Sequence, residues 1–269
     1  MSRMEQIGNM NIIVCIKQVP DTTEVRLDPV TGTLIRDGVP SIINPDDKSG
    51  LEAALRLKDQ YGANVIVISM GPPQADLALR EALAMGADEA YLVTDRAFGG
   101  ADTLATSSTI AAAVRKFDFD LIITGRQAID GDTAQVGPQI AEHLGLVNIS
   151  YAEEITLEGE YLTVKRQYED RYHIVKTKLP CLITALAELN EPRYMTPGGI
   201  FDAYREREVQ ILTRADLDID DANIGLKGSC TKVFKSFTKA VKGKGTIVTL
   251  DPQEASEWLA DRLQEKFVL

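Results

Sequence analysis

No apolar run in this chain approaches the roughly 20 residues that a membrane-spanning helix needs. The longest are short, such as Asn11 to Ile16 and Val65 to Met70. Membrane insertion is therefore not expected. The opening MSRMEQIGNM holds no apolar stretch of signal-peptide type. It reads as a short extension before the first strand, and a cytoplasmic protein is the expectation. Excess positive charge is missing as well: 29 Lys and Arg face 40 Asp and Glu, for a net charge of −11. That argues against a nucleic-acid partner, because neutralising phosphates takes clustered cations. Cysteine is scarce. Cys15, Cys181 and Cys230 are odd in number, far apart and never in CxxC spacing. Buried thiols in a reducing compartment are expected. The two histidines, His143 and His173, show neither metal-ligand spacing nor a visible catalytic partner. Neither a metal site nor a Ser-His-Asp hydrolase is supported.

What remains is a chain of 269 residues, 44% hydrophobic, enough for one large domain or a domain with an extension. Its first two-thirds alternates between two periods. NIIVCIKQ (Asn11 to Gln18) is a compact apolar run of buried-strand type. Pro45 to Gly62 reads as a helix, with Pro45 and Asp46 in its first turn, a stripe at Leu51, Ala54, Leu55 and Leu57, and Gly62 as its stop. Strand and helix then repeat. ANVIVISM is a strand and PPQADLALREALAMG a helix. ADEAYLVTD is a strand, and ADTLATSSTIAAAVRKF a helix capped at Asp102 or Thr103. DLIITG is a strand, and GDTAQVGPQIAEHLG a helix starting near Asp132 or Thr133. Such units predict a Rossmann-like α/β fold, a mostly parallel sheet with helices on both faces. VRLDPVTGTLIRDG interrupts them as a small hairpin.

After Ser150 the pattern changes. Residues 153–186 alternate with period two and predict an antiparallel meander feeding the sheet edge. NEPRYMTPGGIFDAYR reads as loop and then a short helix. From Arg214 to about Gly245 the chain is polar and irregular. A terminal helix follows, with Asp251 as N-cap and Pro252 at its first position. The expected division is an α/β domain over residues 11–212 and a C-terminal arm over residues 213–269.

Ligands of such sheets bind beyond the carboxyl ends of the strands. The informative end is Gly125 to Gln135: a strand, a long polar turn, then a helix N-terminus among small residues. Unpaired N–H groups and the helix dipole favour an anion there. Gly125 and Gly131 let a ligand approach the backbone, Thr133 and Gln135 can donate to phosphate or ribitol oxygens, and Asp130 or Asp132 can accept from sugar hydroxyls. A capped helix with no ligand is the plain alternative. Neither GxxxxGK[ST] nor a GxGxxG after the first strand is present. Any nucleotide is thus held in another style.

At Gly125 to Gly145 the sequence resembles the electron transfer flavoprotein β-subunit family. VCIKQVPD, SIINPDDKSGLEAALRLKD, ISMGPPQADLALREALAMGAD and LPCLITALAELNEPRYMTPGGI resemble it too, in the same order. The resemblance covers about residues 11–202 well and the rest loosely. It implies an obligate heterodimer with an α-subunit that carries its own FAD, and a β-subunit that binds AMP or, in electron-bifurcating members, a second FAD. The implied nucleotide pocket is Cys15, Asn44, Asp46, Met70, Gly125, Gln127 and Asp130, Gly131, Asp132, Thr133, Ala134, Gln135 and Val136. Asp102 and Thr103 join them from position beside the same cleft. It further implies a docking loop at 190–201, here Glu191, Tyr194, Pro197, Gly198, Gly199, Ile200 and Phe201. The family's anchor leucine is replaced within Thr196-Pro197-Gly198-Gly199, which leaves Ile200 or Phe201 as apolar anchors.

The small residues Gly131, Thr133, Ala134 and Gly137 resemble the bifurcating type. That implies NADH as donor, ferredoxin or flavodoxin as one acceptor, and an acyl-CoA or hydroxyacid dehydrogenase as the other, reached through the α-subunit. Arg126 or Arg166 would steady a reduced flavin, or serve as plain surface cations. An AMP-binding, non-bifurcating subunit is the alternative reading, and a stand-alone adenine-nucleotide-binding protein a further one.

Overall fold

The computed structural model describes residues 10–21, 26–27, 34–35, 40–232, 234, 243 and 245–268. In chain order the strands and helices are β1 (Asn11–Cys15), β2 (Gln18–Pro20), β3 (Arg26–Leu27), β4 (Leu34–Ile35), β5 (Ser41–Ile43), α1 (Pro45–Tyr61), β6 (Asn64–Met70), α2 (Asp76–Met85), β7 (Glu89–Val93), α3 (Thr103–Val114), β8 (Leu121–Gly125) and α4 (Val136–Leu144). There follow β9 (Val147–Glu158), β10 (Tyr161–Gln167), β11 (Tyr172–Lys178), β12 (Cys181–Ala185), α5 (Pro197–Arg205), β13 (Val209–Leu212), α6 (Gly225–Gly228) and α7 (Pro252–Glu265). Two units result: Met1–Arg26 with Leu34–Phe234, and Leu27–Thr33 with Lys235–Leu269. Among described residues no helix is long and apolar enough to cross a membrane.

The first unit is built on a nine-stranded sheet of order β11-β10-β9-β12-β8-β1-β6-β7-β13. From β9 to β13 all neighbours in this sheet are parallel, and the β9–β10 and β10–β11 pairings are antiparallel. Both faces are covered, which explains the unbroken apolar strands. Ile12 and Val14 of β1 join Leu51 and Leu55 of α1 and Leu79 of α2 in one core. Ile13 and Cys15 join Ile110 of α3 and Ile140 of α4 in the other. Fully burying each such isoleucine or leucine contributes roughly 2 kcal/mol. The chain moves outward from β1 through β6 to β7, then returns to place β8 on the other side of β1. The carboxyl ends of β1 and β8 therefore flank the point where the connections diverge, where ligands of doubly wound sheets bind.

Gly62 and Gly145 close α1 and α4 in the left-handed conformation, at φ 75° and 66°. Asp102 caps α3 by accepting from the Ala105 amide, 3.0 Å, and Asp251 caps α7 by accepting from Gln253 and Glu254.

Four expectations need correction. The run Asn11 to Gln18 is not one strand: β1 stops at Cys15, and Gln18–Pro20 pairs antiparallel with β5. The Lys17 amide donates to Asp47 Oδ2 at 2.7 Å instead of continuing the ladder. Helix α4 begins at Val136, not near Asp132, because Asp132 and Ala134 adopt left-handed φ of 54° and 53°. β12 does not lie at the edge but between β8 and β9, parallel to both. All five of its residues are buried, so it lacks the alternation of a meander strand. Residues Pro197 to Phe201 are the first turn of α5 rather than loop, since the Thr196 hydroxyl accepts from the Gly199 amide at 2.9 Å and Pro197 suits N1. β13 was not foreseen; it adds to the far edge beside β7. The predicted hairpin falls largely outside the described residues, of which β3 and β4 show short strands.

Candidate functional site

Asn44 and Asp47 build the site from below. Asn44 is fully buried before α1. Its Nδ2 donates to Gln127 O at 2.8 Å, and its Oδ1 accepts from the Ile129 amide at 3.0 Å. One side chain thus holds the start of the loop that follows β8. Asp47 joins the two central strands: Oδ2 accepts from Lys17 N after β1, and Oδ1 from Gly125 N at the end of β8, 2.9 Å. Gly125 has to be glycine, because a Cβ there would come within 2.0 Å of Asp47 Oδ1 and 2.8 Å of its backbone nitrogen. Burial pushes the Asp47 carboxyl up to about 7 against the hydrogen bonds from Lys17, Asn44 and Gly125.

Above this floor opens a cleft of about 670 Å³, within the roughly 300–1,000 Å³ usual for cofactor pockets. Of the sequence-predicted residues, Cys15, Met70, Asp102, Thr103, Gly125, Arg126, Gln127, Gly131, Thr133, Ala134, Gln135 and Val136 line it. Asn44, Asp46, Asp130 and Asp132 do not. Asn44 positions the loop from beneath. Asp46 faces Arg126, Oδ2 to Nε 3.4 Å. Asp130 accepts from Lys17 Nζ at 2.6 Å, and Asp132 from the Gln127 side-chain Nε2. Burial raises the Asp46 carboxyl although Arg126 opposes the shift.

The loop ends at an uncapped helix. Gln135 makes no capping bond to α4; its Oε1 accepts from Thr103 Oγ1 at 2.9 Å. The first amides of α4 have no partner within the helix, and Pro138 has none to offer. Gly137 lets this end sit tight on β8, since a Cβ would lie 2.4 Å from Thr124 Oγ1. Beyond Gly131 nothing lies within 4 Å of an added Cβ, so the loop is open outward. Ala134 at positive φ carries strain of about 1 kcal/mol, of the kind that gathers at functional sites. An open cleft, an uncapped helix N-terminus and small side chains fit the phosphates and sugar of a dinucleotide.

Sequence reasoning missed several wall residues. Asp47, Phe98 and Ile110 were not singled out, and Lys17 and Thr124 lay inside strand patterns. Thr231 comes from the polar stretch after Arg214. Its amide and hydroxyl donate to Asp102 Oδ2 at 3.0 and 3.1 Å. Desolvation works to raise the Asp102 carboxyl, but the bonds from Ala105 and Thr231 leave it lowered.

Cys15 is buried on the cleft wall, and burial pushes its thiol up to about 12, so it stays a thiol. Cys181 is buried, whereas Cys230 is exposed, contrary to expectation. His143 Nε2 lies 3.2 Å from the hydroxyls of Ser107 and Ser108. That cluster ties α4 to α3, and none of its members lines the cleft. Arg166 sits in β10 away from the cleft wall. Among the described residues no three His, Cys, Asp or Glu gather as a metal site would require.

The expected docking segment is exposed at Glu191, Tyr194, Pro197, Gly198, Ile200 and Phe201, while Gly199 is half-buried against Ala84 O. Arg193 anchors it, its guanidinium and amide donating to the buried Glu52 of α1 at 2.8–3.1 Å.

A profile described as "Electron transfer flavoprotein domain" matches residues 31–217. The "Electron transfer flavoprotein subunit beta" of Clostridium acetobutylicum is 61% identical over 257 residues, 96% of this chain and 99% of that one. The chain belongs to the electron transfer flavoprotein family, in its β-subunit branch. Two further relatives are named for larger complexes. The "Caffeyl-CoA reductase-Etf complex subunit CarD" of Acetobacterium woodii is 54% identical over 97% of this chain and all of its own length. The "Acryloyl-CoA reductase electron transfer subunit gamma" of Anaerotignum propionicum is 47% identical over 97% of this chain and all of its own. The sequence match to these relatives runs over 96–97% of this chain.

Proposed function

We propose that this subunit binds FAD in the cleft between β1, β8 and α4 and works in a bifurcating electron transfer flavoprotein. Electrons from NADH would be divided between ferredoxin or flavodoxin and, through the FAD of an α-subunit, a partner dehydrogenase. The observation that carries this reading is the 670 Å³ cleft, whose wall from Gly131 to Val136 is small and ends at uncapped helix amides. Flavin would supply the one- and two-electron chemistry, and the chain supplies position and charge. The α4 amides would hold phosphate oxygens, with Thr133 and Gln135 donating to the sugar or ribityl chain. Arg126, on the cleft wall, would stand beside the electron-rich ring. Asn44 and Asp47 keep the loop and strand ends in place.

The relatives named for caffeyl-CoA and acryloyl-CoA reductases favour an acyl-CoA dehydrogenase as partner. The exposed Tyr194, Ile200 and Phe201 would dock it, and the arm over residues 213–269 would pack on the α-subunit. A flavin and nucleotide count on the purified heterodimer tests this. Two FAD per αβ pair supports the proposal. One FAD and one AMP would show a subunit that holds AMP structurally.

A further inference from the structure

Among the described residues, four charged ones line the cleft: Lys17, Arg126, Asp47 and Asp102. The two carboxylates are engaged by the chain itself. Asp47 accepts from two backbone amides, and Asp102 caps α3 while holding Thr231. Arg126 stands against Asp46 with its Nε buried. Lys17 differs. Its backbone is fixed on both sides, the amide donating to Asp47 and the carbonyl accepting from Asn44 N at 2.9 Å. Its side chain is 43% exposed, and one bond at 2.6 Å directs the ammonium to Asp130, whose side chain is 11% exposed. An ammonium has three donors, so two remain for a ligand. Asp130 belongs to the loop that leads into α4, and Lys17 and the first residues of α4 line the same cleft.

We propose that Lys17 anchors the phosphate or diphosphate of the cleft's ligand, with Asp130 as the positioning residue that aims its ammonium. This rests on reading the cleft as an adenine-nucleotide site. A fixed backbone and a preset partner mean that little side-chain freedom is lost on binding. Asp130 also tempers the affinity, because it neutralises the charge that the phosphate meets.

The test uses the full-length chain purified with its α-subunit, freed of adenine nucleotide and titrated calorimetrically with AMP, ADP and adenosine. Lys17→Gln should weaken AMP and ADP by about tenfold, the scale of one charge-assisted hydrogen bond, and leave adenosine unchanged. Lys17→Arg should restore most of the loss. Asp130→Asn should tighten AMP severalfold, because the amide oxygen still accepts from Nζ but no longer cancels its charge. A purely structural Lys17–Asp130 tie predicts the opposite: both variants weaken all three ligands alike, and that result overturns the proposal. So does AMP binding that Lys17→Gln leaves untouched. Wild-type protein that takes up none of the three ligands would overturn the nucleotide reading together with this one.

Discussion

The two halves of the large sheet use polar side chains in opposite ways. At the carboxyl ends of the parallel strands, Asn44, Asp47, Thr124 and Thr184 are buried. Thr184 accepts from the Tyr151 amide where β9 breaks register. In the antiparallel β10 and β11, the ion pairs are half-buried or exposed. Lys165 spans Glu153 and Glu154, Lys178 meets Glu160, and Lys176 lies over the Tyr161 ring. Removing a buried partner strands its mate without water, whereas an exposed pair trades one hydrated partner for another. The cleft side should therefore be intolerant and the meander permissive.

The sharpest way to break that comparison is Gly125→Ala. The added methyl meets the Asp47 carboxylate and backbone, so the strand ends must part, at about 3 kcal/mol of stability in urea denaturation. Asp47→Ala should follow at about 2 kcal/mol, as two buried amides lose their acceptor. Its amide variant sharpens the point through pH. The folded carboxyl is raised to about 7 from an unfolded value near 4. Its contribution is fully present below the unfolded value and is lost as pH rises through about 7. Asp47→Asn should flatten that part of the stability profile between about pH 4 and 7, read from denaturation midpoints. An unchanged slope would place the titration elsewhere. Asn44→Ala should cost about 2 kcal/mol and loosen residues 127–129, checked by faster amide exchange there and by loss of copurifying nucleotide. Lys165→Ala should leave the midpoint where it is. A clear loss there would end the contrast between the halves.

The same contrast explains what was legible beforehand. The parallel half announces itself through local rules: apolar runs for β1, β6 and β8, glycine stops after α1 and α4, and an aspartate cap on α3. The Gly125 to Gln135 turn, much of which lines the cleft, was readable as a candidate site because glycine and short polar residues follow a buried strand. Residues whose roles depend on partners far along the chain were not. Asp47 acts on residues 30 and 78 positions away, Lys17 on one 113 away, and Thr231 on one 129 away.

By itself the amino-acid order determined an α/β sheet covered on both faces and a polar, glycine-bearing turn after the fourth βα strand, because hydrophobic period and turn chemistry act over a few residues. Tertiary structure alone decided that β12 enters the sheet between β8 and β9, and that Asp47 rather than Asp46 joins β1 to β8. It also decided which carboxylates face the cleft and which stand behind it. Those outcomes depend on which strand ends meet, and hydrogen bonds spanning 30 to 129 positions leave no periodic trace in the sequence.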